Sequence, residues 1–225
     1  MESSNERKKT VHITRRQLIG SACALAFAGV TGRTWFLNAT AQAKPATIAH
    51  PMGAWAELEG AFVMDRASER TNGYAVRVTK AERLSYNQYV ERYATDGSQP
   101  IDGLDTPSLV CLSVGIRNEN SDGGLGIATM YLVPARKNEF LVPDTDLLLA
   151  SETKLRESGA SLITGVSIRP DTEYEMRLAY CRQGGTVDRG DLKLREAYLE
   201  TLDDTAFDLV LTNLPVRHVI RVTTE

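Results

Sequence analysis

From position 74 onward the chain alternates apolar and polar residues in short runs. In YAVRVT, Tyr74, Val76 and Val78 share one phase against Ala75, Arg77 and Thr79. LVCLSVGIRN sets Val110, Leu112, Val114 and Ile116 against Cys111, Ser113, Gly115 and Arg117. EYEMRLAYCR sets Tyr174, Met176, Leu178 and Tyr180 against Glu175, Arg177, Ala179 and Cys181. FDLVLTN sets Phe207, Leu209 and Leu211 against Asp208, Val210 and Thr212. Successive side chains of a strand point to opposite faces, so each run predicts a strand with one buried face. Turn-forming clusters at Asn118 to Gly124, Pro170-Asp171, Gly184-Gly185 and Asn213 to Pro215 separate the runs. Several such strands in a row predict a mainly-β body, a sandwich or barrel.

One segment breaks the period. SYNQYVERYA places Tyr86, Tyr89, Val90 and Tyr93 on one helical face. Ser85 and Gln88 have the spacing of a capping box, and Gly97 supplies a stop. A short α-helix is therefore expected near 85–94. Weaker helical patterns run over 144–151, with Asp144 as cap, and through DLKLREAYLETL, with Leu192, Leu194, Tyr198 and Leu199.

The N-terminus follows another rule. Arg7, Lys8 and Lys9 lead into Thr14-Arg15-Arg16-Gln17-Leu18-Ile19, which resembles the twin-arginine export motif, with Arg15 and Arg16 as its pair. The apolar run from Leu18 to Val30 would span roughly 20 Å as a helix, short of the ~30 Å hydrocarbon layer. Arg33 follows it. The reading is a removable signal over 1–43, cut after Ala43, then a flexible lead over 44–53 and a single domain over 54–225. A general secretory signal, an uncleaved anchor and lipidation at Cys23 are the competing readings. The expected location is outside the cytoplasm, extracellular or at the cell envelope. The expected partner is the twin-arginine export machinery, with the membrane met only in transit.

Removal of residues 1–43 takes away six Lys or Arg and two acids, so the net charge of −3 becomes −7. Phosphate binding needs clustered cations, and no Lys/Arg cluster exists, so nucleic acid is not an expected partner. An envelope protein or wall polymer is.

Candidate chemistry is sparse. Two histidines (His50, His218) and two cysteines (Cys111, Cys181) lie beyond position 43, without paired spacing, so no metal site and no cofactor is expected. His218 shares a phase with Ile220 and Val222 and reads as a packing residue. Cys111 and Cys181 fall on the polar phases of their strands. They read as a candidate disulfide or as two half-exposed free thiols. NENSDGG has the start of a calcium loop, but its twelfth position is Thr129, not Glu, so it reads as a turn. No G-x-S-x-G elbow occurs, and no carboxylate pair is singled out. No catalytic residue is therefore assigned. Tyr86, Tyr89 and Tyr93 form a candidate ligand-stacking face; the competing reading is that they fasten the helix to the sheet.

SLVCLSVGIRNENSDGG resembles the central strand and turn of the telokin-like, immunoglobulin-type domains of unknown function in exported proteins of Gram-positive bacteria. SIRPDTEYEMRLAY is similar to their next turn and strand, and FDLVLTNLPVRHVIRVTTE to their closing strands. The resemblance implies an immunoglobulin-like antiparallel β-sandwich and a non-catalytic accessory or binding module at the cell envelope. It brings no catalytic residues. The helix near 85–94 and the stretch 135–161 depart from smaller members of that group. The competing function is a carboxylate-dependent hydrolase of cell-wall glycans.

Overall fold

A computed structural model describes residues 45–61, 71–121, 123–135, 139–152, 166–189 and 192–225. The expected export segment with Arg15, Arg16 and Cys23, the expected cut after Ala43, and Asp122 of the turn lie outside the described residues.

Eleven strands and two short helices are described. The strands are β1 (Thr47–Pro51), β2 (Ala56–Glu57), β3 (Tyr74–Leu84), β4 (Leu109–Asn118), β5 (Tyr131–Pro134), β6 (Leu141–Pro143), β7 (Thr172–Arg182), β8 (Thr186–Arg189), β9 (Leu192–Arg195), β10 (Ala206–Thr212) and β11 (Arg217–Thr223). Helix α1 is Tyr86–Tyr93 and α2 is Thr145–Ser151. Nine strands form one ladder in the order β1-β11-β10-β5-β6-β7-β4-β3-β2, and β8-β9 is a separate hairpin.

This ladder curls until its halves face each other. Ile220 and Val222 of β11 share a buried core with Val76, Val78 and Ala81 of β3. The Gly53 N–H donates to the Val78 carbonyl at 2.8 Å, and Ala61 and Leu214 form an isolated antiparallel bridge. The apolar phases read from the sequence all point into this core: Val110, Leu112, Val114 and Ile116, with Met176, Leu178 and Tyr180, and Phe207, Leu209 and Leu211. The fold is thus mainly β and sandwich-like, with a short helix, as the alternation predicts. Its pairings are antiparallel except β1 with β11, which run parallel.

Helix α1 begins as its sequence dictates. The Ser85 side chain accepts from the Gln88 N–H at 3.1 Å, and the Gln88 side chain accepts from the Ser85 N–H at 3.0 Å. Asp144 caps α2 by accepting from the Asp146 and Leu147 N–H groups, both at 3.1 Å.

Three expectations need correction. Residues 47–51, read as part of a flexible lead, form the edge strand β1, because β11 offers a ladder that even a short, apolar-poor segment can join. The helical pattern in DLKLREAYLETL is instead β9 followed by a 3-10 turn at Glu196–Leu199. The polar phase of β4 and β7 is covered where the cysteines lie, although Glu175 on that phase of β7 stays exposed. Cys111, Ala179 and Cys181 pack under Tyr89 and Val90 of α1, Leu147 of α2, and Ala197 and Tyr198 of the 3-10 turn.

That second layer fixes the cysteine chemistry. Both are free thiols and buried. Cys111 stands opposite Ala179, so Cys181 is its diagonal neighbour. Diagonal positions lie about 7–8 Å apart, beyond the usual span of a disulfide. Burial pushes both thiols up to about 12, helped at Cys111 by the Glu82 charge and at Cys181 by Asp144. Alkylation at about pH 8 without reductant is expected to leave both unlabelled in the folded protein and to label both after unfolding. Peptide mapping checks this; two unlabelled cysteines in the unfolded chain would instead mean a bond.

Candidate functional site

The two edges of the ladder, β1 and β2, are joined by the corner Met52–Trp55. Between them opens a cleft of about 400 Å³, lined by Ile48 and His50 of β1, by Trp55, Glu57 and Glu59, and by Pro215, Val216 and His218. The Gly53–Val78 hydrogen bond ties the corner to β3, and the Ala61–Leu214 bridge lies at the far end of the β2 segment.

Local chemistry builds each wall. Alternation along residues 55–59 sends Ala56 and Leu58 into the core and leaves Glu57 and Glu59 exposed. Trp55 lies across β3 onto Gly115 of β4. A side-chain carbon at Gly115 would sit 3.4 Å from the Trp55 ring, so glycine there lets the indole settle on the sheet. The guanidinium groups of Arg77 and Arg117 lie 4.4 and 4.6 Å from the ring centroid. Such contacts stabilise by about 0.5–1 kcal/mol each at exposed sites. On the opposite wall, the Thr212 hydroxyl donates to the Val216 carbonyl at 2.9 Å and accepts from the His218 N–H at 3.2 Å. These bonds hold the turn that carries Pro215 and Val216.

His50 and His218, 168 positions apart, meet in this cleft. His50 Nε2 and His218 Nδ1 are 3.2 Å apart, and the rings stack at 5.5 Å with 14° between planes. Burial lowers both pKa values from the usual 6.5. The neighbouring His50 lowers His218 further, and Glu59 opposes this. At neutral pH the pair is therefore uncharged, and the charged groups lining the cleft are Glu57 and Glu59. Among the described residues no three His, Cys, Asp or Glu side chains are arranged to hold a metal ion.

The tyrosines of α1 divide. Tyr89 is fully buried and its hydroxyl donates to Ser151 Oγ at 2.9 Å. The Tyr93 hydroxyl donates to the Glu82 carboxylate, and its ring lies 5.5 Å edge-on to Tyr89. Both fasten the helix. Tyr86 packs on Tyr198 at 5.0 Å and lines a second hollow of about 250 Å³ with Asp96, Asp146 and Arg195. Beneath that hollow lies Asp144, fully buried. It accepts from the Tyr198 hydroxyl at 2.5 Å and faces Arg195 Nε at 3.4 Å. Burial, then the Asp144 charge, pushes the Tyr198 hydroxyl far above its ordinary value.

The His50–His218 cleft was not legible as a unit in the sequence. Its one usable signal is the Trp55-Glu57-Glu59 alternation beside the strand edge.

No described helix is long and apolar enough to cross a membrane. No curated protein and no solved structure matches the chain. A protein family does match, over residues 47–218, from the start of β1 to His218. The chain belongs to that family, described as a domain of unknown function (DUF5028).

Proposed function

We propose that this protein is an exported, non-catalytic accessory or binding module of the cell envelope, and that the cleft between β1 and β2 is its ligand site. The export route is the twin-arginine pathway, read from Arg15 and Arg16, and the telokin-like kinship with exported Gram-positive domains belongs to the same reading. The single observation that carries the binding role is the cleft. It is concave, part apolar through Ile48, Trp55, Pro215 and Val216, and part polar through two histidines and two glutamates. That mixture is typical of small-molecule and polymer-end sites.

A wall-glycan hydrolase is the second reading, favoured by Glu57 and Glu59 sharing one cleft. The general acid of such enzymes is desolvated, whereas both glutamates stand in solvent. Co-sedimentation with purified envelope separates the two. The wild-type protein is expected to sediment, and Ile48→Asp/Val216→Asp, which charges the apolar wall, is expected to lose at least tenfold in affinity. Equal binding by the variant would remove the cleft from the function. Release of soluble wall fragments by wild type but not by Glu57→Gln/Glu59→Gln would make the protein the hydrolase.

A further inference from the structure

We propose that His50 and His218 form a proton-operated latch that closes β1 onto β11 at neutral pH and releases it on acidification. Two neutral imidazoles 3.2 Å apart share one hydrogen bond, one ring donating and the other accepting. Two imidazolium rings are both donors and carry like charge, so the same contact turns repulsive. The strand it holds is an edge of the ladder. Among the described residues β1 pairs on one side only, with β11, and four of its five residues are exposed. His218 is 8 % exposed, so water screens its charge poorly.

The groups around the pair do not cancel this effect. Across the cleft stand Glu57 and Glu59. Arg217 and Arg221 lie on the alternate phase of β11 and so face away from the pair, with Asp208 of β10 registered opposite Arg221. Thr212 of β10 contributes only a hydroxyl, to the His218 N–H. Glu59 favours a proton on His218 and His50 disfavours it. Among the described residues neither ring is hydrogen-bonded to a carboxylate. The sign follows. A closed latch with lowered pKa values binds fewer protons than an open one, so closure is fully favoured above the usual imidazole value of 6.5 and is lost as pH falls below it. The consequence is that acidification frees the β11 edge and removes one wall of the cleft. The latch stands whether or not the cleft holds a ligand, because it is read on the ligand-free protein.

Amide hydrogen exchange on the full-length protein, corrected for intrinsic rates, tests it. Protection of the amides that bridge β1 and β11, Arg217 and the alternate residues after it on β11 with their counterparts on β1, is expected to fall at least tenfold between about pH 7.5 and pH 5, while β4 and β7 stay protected. The double variant His50→Gln/His218→Asn places neutral amide groups where the bonded ring nitrogens were. It is expected to lose that pH dependence. An unchanged wild-type protection, or an equal fall in the double variant, would overturn the latch. Should the variant not fold, imidazole NMR titration of wild type decides. Two separated steps below 6.5 support the latch, and two independent titrations at ordinary values refute it.

Discussion

Replacing Asp144 with alanine is expected to lower the unfolding free energy by about 3–5 kcal/mol, the range for breaking a buried charged pair by removing one partner. This carboxylate is fully buried and serves four groups at once. It caps α2 through the Asp146 and Leu147 N–H groups. It accepts the Tyr198 hydroxyl and balances Arg195. It also lies 3.7 Å from the Cys181 thiol. Alanine removes the cap, which contributes about 1 kcal/mol. It also strands a buried hydroxyl, which costs about 1–3 kcal/mol. Arg195 is one-third exposed, so water recovers part of its loss. Asparagine can still cap and accept, and is expected to cost less than half as much. Urea unfolding of the three proteins checks the order. A loss below about 1 kcal/mol for alanine would mean that Asp144 does not join α2 to the 3-10 turn over β7.

The second large effect is expected at Gly60. Its φ is +98°, and a side-chain carbon there would lie 1.9 Å from the Leu214 carbonyl oxygen, a backbone atom that cannot swing aside. That oxygen accepts the Ala61 N–H at 2.8 Å, and the Ala61 carbonyl accepts from Asn213 and Leu214 at 3.0 and 3.1 Å. Gly60→Ala must therefore break the bridge between the β2 segment and the turn before β11, with an expected loss of about 3 kcal/mol. Gly97 supplies the control. Its φ is +88°, but nothing lies within 4 Å of the added carbon. Gly97→Ala bears only the conformational cost, about 1–2 kcal/mol. Equal losses at the two glycines would mean that the bridge contributes nothing.

The sequence carried the core well and the surface poorly, for a physical reason. Burial against a large apolar core imposes period two, so Val110 to Ile116 and Met176 to Tyr180 announce themselves. The capping box at Ser85 and Gln88 is equally local and equally legible. The other face of β4 carries Cys111, Ser113 and Gly115, small residues compatible with water or with a covering layer. Only tertiary contact with α1, α2 and the 3-10 turn decides between the two. β1 has no apolar alternation because it is an edge strand with little to bury. The cleft was illegible for the same reason. Its histidines belong to two strands at opposite ends of the chain, brought together by a parallel pairing that no local pattern encodes.

The ladder must curl until the β2 side meets the strands that carry β1 for the cleft to exist. Cross-strand NOEs in the isotopically labelled protein test this most directly. The predicted result is contact between the Ala61 and Leu214 amides and between Gly53 and Val78, with the Ala61 amide slow to exchange. Absence of both contacts, with a freely exchanging Ala61, would leave an open sheet without the cleft and would contradict the account.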